Sequence, residues 1–309
     1  MRPHNIGLLI LAGILAALPL VLPNSFYYDI VIRMAINAVV ALGLNLLIGY
    51  AGQISLGHAG FFGIGAYATA ILTTHFGWHP LQALLAGALG AAALAALLAR
   101  PIFRLRGHYL AMATLGLGIL IAMVLKNEAE YTGGPDGMAV VPMSLFGFQI
   151  DGEKQWYWFF SANLLISIWA CRNLIDSPFG RALRALHGCE VAAQVAGVDV
   201  ARYKAIIFVF SAFFASIMGS LTAHYVGFVT PNVADFFYSI ELVTMVVVGG
   251  MASIFGSVVG AALLTALPQA LATLEGWETV AFGLILMLFM VFLPSGLVPT
   301  IATRFGRRG

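Results

Sequence analysis

The chain has 309 residues, of which 61% are hydrophobic and only 9% charged, and its mean hydropathy is +0.95. Soluble globular proteins are roughly 45–50% apolar and about 25% charged, so this composition excludes a soluble domain, a disordered chain and a secreted disulfide scaffold. The net charge of +2 gives no indication of nucleic-acid binding. A membrane-spanning helix takes about 20 apolar residues, so a chain of this length can hold on the order of ten such helices. No tract is left for a domain that supplies energy, so we expect the energy for any transport to come from another chain.

Apolar runs predict an all-α, polytopic membrane protein with about ten transmembrane helices. The whole chain, 1–309, is expected to form a single transmembrane domain. In chain order the predicted spans are 6–22, 30–48, 54–76, 81–99, 108–125, 156–171, 205–223, two spans within 236–274, and 279–293. The first run follows Arg2 as a signal peptide would. However, Pro19 and Pro23 interrupt its end and no clear cleavage site follows, so we expect a retained helix.

The distribution of basic residues predicts the orientation of these spans. If the N-terminus is cytoplasmic, only Arg33, Lys126 and Lys154 fall outside. The remaining basic residues then lie inside, at positions 2, 100, 104, 106, 172, 181, 184, 202, 204, 304, 307 and 308. Because cytoplasmic loops carry an excess of Lys and Arg, we expect both termini and the loop 172–204 to be cytoplasmic and the loop 127–155 to be outside.

The segment 49–65 is unusually rich in glycine, at positions 49, 52, 57, 60, 63 and 65. One interpretation is close helix packing, because small residues let helix backbones approach each other in lipid. The other is a broken helix that lines a pathway, because the segment also carries Gln53, Ser55 and His58. Polar side chains and irregular backbone are tolerated at membrane depth only where they face protein or water.

A similar glycine-rich tract returns at 249–261, and Gly-Gln-Ile-Ser-Leu-Gly at 52–57 loosely echoes Gly-Met-Ala-Ser-Ile-Phe-Gly at 250–256. Glycine-interrupted spans in both halves of a chain are typical of internally repeated transporters, so an internal repeat is possible and transport is the leading class. Glu241 is a carboxylate close to a span. It either belongs to the pathway or lies hydrated at the outer interface.

The two hydrophilic loops each have a recognisable pattern. The outer loop contains a proline flanked by Thr132, Gly133, Gly134 and Asp136, and residues of these types favour a reverse turn. This turn is either an ordinary reverse turn or an ordered element that faces a partner or the entrance of the pathway. In the inner loop, Pro178 suits a helix start, after which Arg181 and Arg184 share one face while Leu183 and Leu186 share another. A second short helix spans 190–197. These two helices either lie on the membrane or dock on a cytoplasmic partner.

Several stretches resemble the permeases of branched-chain amino acid ABC importers. The first is 43–67, which begins Gly-Leu-Asn-Leu-Leu-Ile-Gly-Tyr, and the second is 106–115, which begins Arg-Gly-His-Tyr-Leu. The others are Thr-Gly-Gly-Pro-Asp-Gly-Met at 132–138, 177–186 followed by 190–197, and 246–256. They occur in order over nearly the whole chain. The Arg106 block, the outer loop and the chain length favour the LivM-like subunit over its LivH-like companion. Leu-His-Gly-Cys-Glu at 186–190 departs from the pattern, which puts the detailed coupling contacts in doubt.

The resemblance implies one half of a heterodimeric permease in the bacterial inner membrane that moves branched-chain amino acids inward by alternating access. Its expected partners are a second permease subunit, two cytoplasmic ATPases and a periplasmic solute-binding protein. ATP and Mg would act on the ATPases, so this chain is expected to be no enzyme and to hold no cofactor or metal. The expected coupling residues in the loop 172–204 are Arg181, Arg184, Glu190 and Gly197. The pathway candidates are Gln53, Ser55, His58 and Glu241.

Other interpretations stay open at this point. The family also includes permeases for urea and short amides. An ion-coupled secondary transporter would need intramembrane ionisable groups, and Glu241 and His58 are the candidates. An intramembrane hydrolase could use Ser55 and His58, which fall on one helical face, but the sequence offers no orienting acid or oxyanion motif beside them.

Overall fold

The computed structural model describes residues 3–22, 24–105, 107–145, 148–272, 277–293 and 295–306. Five residues used above lie outside the described residues, namely Arg2, Pro23, Arg106, Arg307 and Arg308.

The described chain is almost entirely helical. The longer helices are α1 (Pro3–Val21), α2 (Ser25–Asn45, continued by a π-helical turn at Leu46–Tyr50), α3 (His58–Thr74), α4 (Pro80–Ile102), α5 (His108–Asn127), α7 (Glu153–Asp176), α10 (Val200–Val226), α11 (Phe236–Gly249), α12 (Ile254–Leu271) and α13 (Glu278–Phe292). The shorter ones are α6 (Ala129–Thr132), α8 (Pro178–Gly188), α9 (Glu190–Val195) and α14 (Leu297–Gly306). Each predicted span coincides with a helix, and the tract 236–274 divides into two as predicted.

Six of the described helices are long and apolar enough to cross a membrane: α2 with its π-helical turn, α4, α5, α7, α10 and α12. Shorter apolar helical stretches lie at Gly7–Leu20, Phe236–Gly249 and Val280–Phe289, and the glycine-rich α3 has 17 residues. The polytopic all-α prediction is confirmed. The shorter spans include α3 and α11, which adjoin the two glycine-rich tracts where the helical backbone is interrupted.

Two short antiparallel strand pairs lie in the loops. β1 (Met138–Ala139) pairs with β4 (Phe228–Val229), with Met138 opposite Val229. β2 (Ser144–Leu145) pairs with β3 (Phe148–Gln149). The first pair joins the loop after α5 to the loop after α10.

The chain divides into two compact units. The first unit comprises residues 1–42, 151–177 and 245–309. Within it α1 is tied to α7, because the Tyr157 hydroxyl donates to the Leu15 carbonyl over 2.5 Å. Asn37 on α2 donates to the Thr265 hydroxyl on α12 over 2.9 Å. These polar bonds between helices are a common device inside membrane proteins.

The second unit comprises residues 43–150 and 178–244 and contains α3, α4, α5 and α10. α10 packs against α3 and α4, and α3 also packs against α5. The backbones of α3 and α10 touch, because a Cβ built at Gly65 would overlap the Ser216 carbonyl and one at Gly219 would overlap the Phe62 carbonyl. For these positions, the interpretation of glycine as a helix-packing residue is correct.

Candidate functional site

The first glycine-rich tract contains a real interruption of the helical backbone. Residues 51–57, between the π-helical turn and α3, are not helical. Gly52 has a φ of +66°, a left-handed conformation that an L side chain adopts at a cost. Gly57 lies against the Thr114 carbonyl of α5, with no room for a Cβ. We call residues 51–57 the interruption. The helix is broken here, whereas the lining of a pathway by this segment stays a prediction.

Side chains from other segments accept hydrogen bonds from one backbone N–H just before α3 and one in its first turn. The first N–H groups of a helix have no intrahelical acceptor. Here the Leu56 N–H donates to the Thr114 hydroxyl over 3.0 Å, and the Ala59 N–H donates to the Ser239 hydroxyl over 3.1 Å. Because Ser239 lies in the first turn of α11, the beginnings of α3 and α11 lie side by side.

Two of the predicted pathway residues form a buried polar chain. His58 Nδ1 lies 3.1 Å from the Ser55 hydroxyl, and its Nε2 lies 2.6 Å from the Ser211 hydroxyl of α10. A neutral imidazole offers one donor and one acceptor, and hydroxyls can match either tautomer. The ring therefore has both nitrogens bonded to hydroxyls rather than to a carboxylate. This arrangement joins α3 to α10 and does not resemble the nucleophile–base–acid set of a hydrolase.

The inner loop has the amphipathic form that its sequence predicts. α8 begins at Pro178; Leu183 and Leu186 are fully buried, whereas Arg181 and Arg184 are exposed. α9 ends before Gly197, whose φ is +86°. α8 packs against the π-helical turn and α10, which leaves its arginine face open to a partner.

The third pathway candidate, Gln53, contacts the inner loop. Its side-chain amide donates to the Ala51 carbonyl over 3.0 Å and to Glu190 Oε1 over 3.4 Å. Glu190 in turn accepts from Lys204 Nζ over 2.5 Å. A predicted pathway residue and a predicted coupling residue are thus in direct contact. Lys204 is a member of this cluster that the sequence reasoning missed, since only its charge and not its burial could be read from the pattern.

Glu241 is not part of this cluster. It is half-buried in α11, two residues after Ser239. The Tyr238 ring lies 5.3 Å from the Phe62 ring near the start of α3. This segment of α11 therefore lies beside the first turns of α3 rather than beside its last residue, Thr74.

The outer-loop residues form an ordered turn. The Thr132 hydroxyl donates to the Glu128 carbonyl over 2.7 Å and accepts from the Gly134 N–H over 3.1 Å. Gly133 and Gly134 both have positive φ, as turn chemistry predicts. Asp136 is exposed. The turn leads directly into β1, and the pairing with β4 holds this loop against the end of α10.

Four buried polar atoms on α3 and α10 have no hydrogen-bond partner among the described residues. They are the Tyr67 hydroxyl, Thr69 Oγ1, Ser216 Oγ and His224 Nε2. Unpaired polar atoms are rare in protein interiors and call for an explanation. Sequence reasoning missed this group, although polar residues inside predicted spans are a general signal of function. The described residues include no cluster of His, Cys, Asp or Glu arranged to hold a metal ion.

Two contacts in the second unit join segments that the predicted spans put on the same side of the membrane. The interruption and the inner loop, which meet at Gln53 and Glu190, are both predicted to lie on one side of the membrane. The loops that β1 and β4 join are both predicted to lie on the other. A third contact does not follow this alternation, because the Ala59 N–H donates to the Ser239 hydroxyl although the predicted spans put the starts of α3 and α11 on opposite sides of the membrane. The alternation of the spans stays a prediction.

Comparison with known proteins gives a consistent result. The family model described as the permease component of the branched-chain amino acid transport system matches residues 26–294. The chain is 32% identical over 295 residues to the high-affinity branched-chain amino acid transport system permease protein LivM of Escherichia coli (strain K12), which covers 88% of this chain and 69% of that relative. It is 26% identical over 215 residues to the corresponding protein LivH of the same organism, covering 64% of this chain and 66% of that relative. No solved structure matches the chain significantly.

Proposed function

Because the chain belongs to the family of branched-chain amino acid transport system permease components, we propose that it is the LivM-like subunit of an ATP-driven importer of branched-chain amino acids. The observation that carries this proposal is the match to LivM over 88% of the chain. The weaker match to LivH supports assignment to one of two different permease subunits, which would pair as a heterodimer.

The energy for transport would come from two cytoplasmic ATPase subunits, where ATP and Mg act. The exposed face of α8, with Arg181 and Arg184, supports the inner loop as their docking site, since amphipathic helices commonly bind in grooves on partners. Glu190 and Gly197 would belong to the same coupling element. Docking of the ATPases on the inner loop requires this loop to be cytoplasmic. The distribution of basic residues predicts that orientation, with both termini also in the cytoplasm, for a multi-pass protein of the bacterial inner membrane.

The pathway would pass the interruption, where α3 and α11 begin beside each other. Broken helices with converging N-termini are the usual elements of transporter sites, because the positive ends of their dipoles attract anionic groups such as a substrate carboxylate. Gln53, Ser55, His58 and Glu241 are the candidate residues here. The ordered turn at 132–136 is on the predicted outer side and would face the periplasmic binding protein.

The test is uptake of radiolabelled leucine by proteoliposomes that contain the complete complex of this chain with the second permease, the ATPases and the binding protein. We expect uptake to require ATP inside and binding protein outside, and to persist when an ionophore collapses the ion gradients. Uptake that continues without ATP and stops with the ionophore would overturn the proposal. Uptake of urea but not leucine would retain the ATP-driven mechanism and overturn the substrate.

A further inference from the structure

We propose that Gln53, Glu190 and Lys204 form a polar clamp through which the inner loop positions the interruption, so that a displacement of α9 by the ATPases reaches the start of α3. The inference rests on the proposed function and names residues that transmit the motion. In this arrangement Glu190 is the moving part, Lys204 holds it to α10, and Gln53 carries its position into the membrane-spanning segment.

The exposure of the three side chains fits this division. The Glu190 side chain is 34% exposed, so a partner docked on α8 and α9 could reach it. Gln53 and Lys204 are only 7% and 4% exposed. A carboxylate at the surface is therefore held by two buried donors. The same Glu190 oxygen accepts from both, so a movement of this one oxygen changes both bonds.

The clamp has a direct structural route to α3. Gln53 also donates to the Ala51 carbonyl, so its amide connects Glu190 to the backbone of the interruption. Lys204 and Ser211 are seven residues apart on α10 and therefore on the same helical face. That face is connected to the interruption and the start of α3 at two points. Lys204 bonds to Glu190, which bonds to Gln53, and Ser211 bonds to His58. Release of the first contact would leave the second as the point about which the start of α3 can turn.

The two contacts of Glu190 in the clamp differ in how much free energy is needed to break them. Lys204 is a buried ammonium group, and Glu190 is its ion-pair partner among the described residues. A buried charge that loses its partner is strongly unfavourable, so the pair strongly favours the closed clamp. Gln53 is neutral, so its contact with Glu190 can break without leaving a buried charge. The contact between Gln53 and Glu190 is therefore where the clamp would open.

The experiment compares Gln53→Met with the matched control Gln82→Met, which changes an exposed glutamine of α4, in proteoliposomes with the complete complex. Three quantities are measured: leucine imported per ATP hydrolysed, the stimulation of ATP hydrolysis by the binding protein, and the KM for leucine. For Gln53→Met we expect the imported leucine per ATP to fall about tenfold, the equilibrium factor for one charge-assisted hydrogen bond, with assembly unchanged. A residue needed only for folding would instead lower assembly and both activities together.

The charge exchange Glu190→Lys with Lys204→Glu tests the same clamp without relying on one variant. The ion pair is restored in reverse, and the Gln53 amide can accept from the new ammonium group through its oxygen. We expect each single exchange to uncouple transport and the double exchange to recover most of the coupling. Normal leucine per ATP in Gln53→Met, or no recovery in a well-assembled double exchange, would overturn the clamp.

The outcomes also separate the clamp from the proposed function. If the wild-type complex hydrolyses ATP in response to the binding protein but imports no leucine, the substrate is wrong. The clamp is then judged by whether Gln53→Met abolishes that stimulation. A wild-type complex that neither imports leucine nor hydrolyses ATP overturns both.

Discussion

The contact between α3 and α10 makes a prediction that depends on backbone geometry alone. In Gly65→Ala the new methyl group would overlap the Ser216 carbonyl oxygen, so the two helices must separate. Overpacking of this kind costs about 1–3 kcal/mol. The separation also weakens the bond from the Ser220 hydroxyl to the Gly65 carbonyl, now 2.9 Å long, and a hydrogen bond contributes about 0.5–1.5 kcal/mol. The higher helix propensity of alanine offsets up to about 1 kcal/mol.

The net expectation is a loss of about 2 kcal/mol, or about a 30-fold shift between folded and unfolded protein. The assay is titration of the purified chain with SDS in mixed micelles, followed by tryptophan fluorescence. Gly90→Ala is the matched control, because it lies in α4 with nothing within 4 Å of the added carbon. It should leave the stability unchanged or raise it by up to about 1 kcal/mol. Equal unfolding curves for the two variants would refute the reasoning about close backbone contact.

Three further predictions use other parts of the second unit. Ser211→Ala removes a hydrogen-bond partner of His58 and should lower the free energy of unfolding by about 1–3 kcal/mol in the same titration. Ser216→Ala removes a hydroxyl with no described partner and should leave the stability unchanged or raise it. A larger loss for Ser216→Ala than for Ser211→Ala would contradict the hydrogen-bond assignment. Gly197→Val forces a branched side chain into a φ of +86°, at a cost of about 1–2 kcal/mol, and should lower leucine uptake per ATP, while Gly188→Ala, which has open space, should not. Asp136→Lys should raise the concentration of binding protein needed for half-maximal ATP hydrolysis, and an unchanged concentration would remove the outer turn from the docking surface.

The helices were predictable because the physics that forms them is local in the sequence. Apolar runs of sufficient length mark the spans whatever their partners are. The same holds for α8, where Leu183 and Leu186 repeat at helical spacing on the face opposite Arg181 and Arg184. Burial follows directly from such a pattern, and the structure has both leucines buried and both arginines exposed.

The candidate site was predictable only in part, because its residues have more than one use. Glycine lets helices approach at position 65 and breaks the helix at position 52, and a list of glycines does not separate the two. The contact between Gln53 and Glu190 joins residues 137 positions apart, so no local pattern could indicate it. The sequence predicted Gln53 as a pathway residue and Glu190 as a coupling residue, each for a separate reason. Only the three-dimensional arrangement relates these two roles.

The two glycine-rich tracts share a local backbone arrangement. Each tract ends one helix, turns through a glycine of positive φ, Gly52 or Gly250, and starts another helix a few residues later. Each also has a serine near the start of the following helix. Ser253 caps α12 by accepting from the Gly256 N–H over 3.0 Å, whereas Ser55 bonds to the His58 ring and the Ala59 N–H of α3 donates to Ser239 of α11. Because the Leu56 and Ala59 N–H groups donate to Thr114 and Ser239, a movement of α5 or α11 would act directly on the backbone of the first interruption and the start of α3.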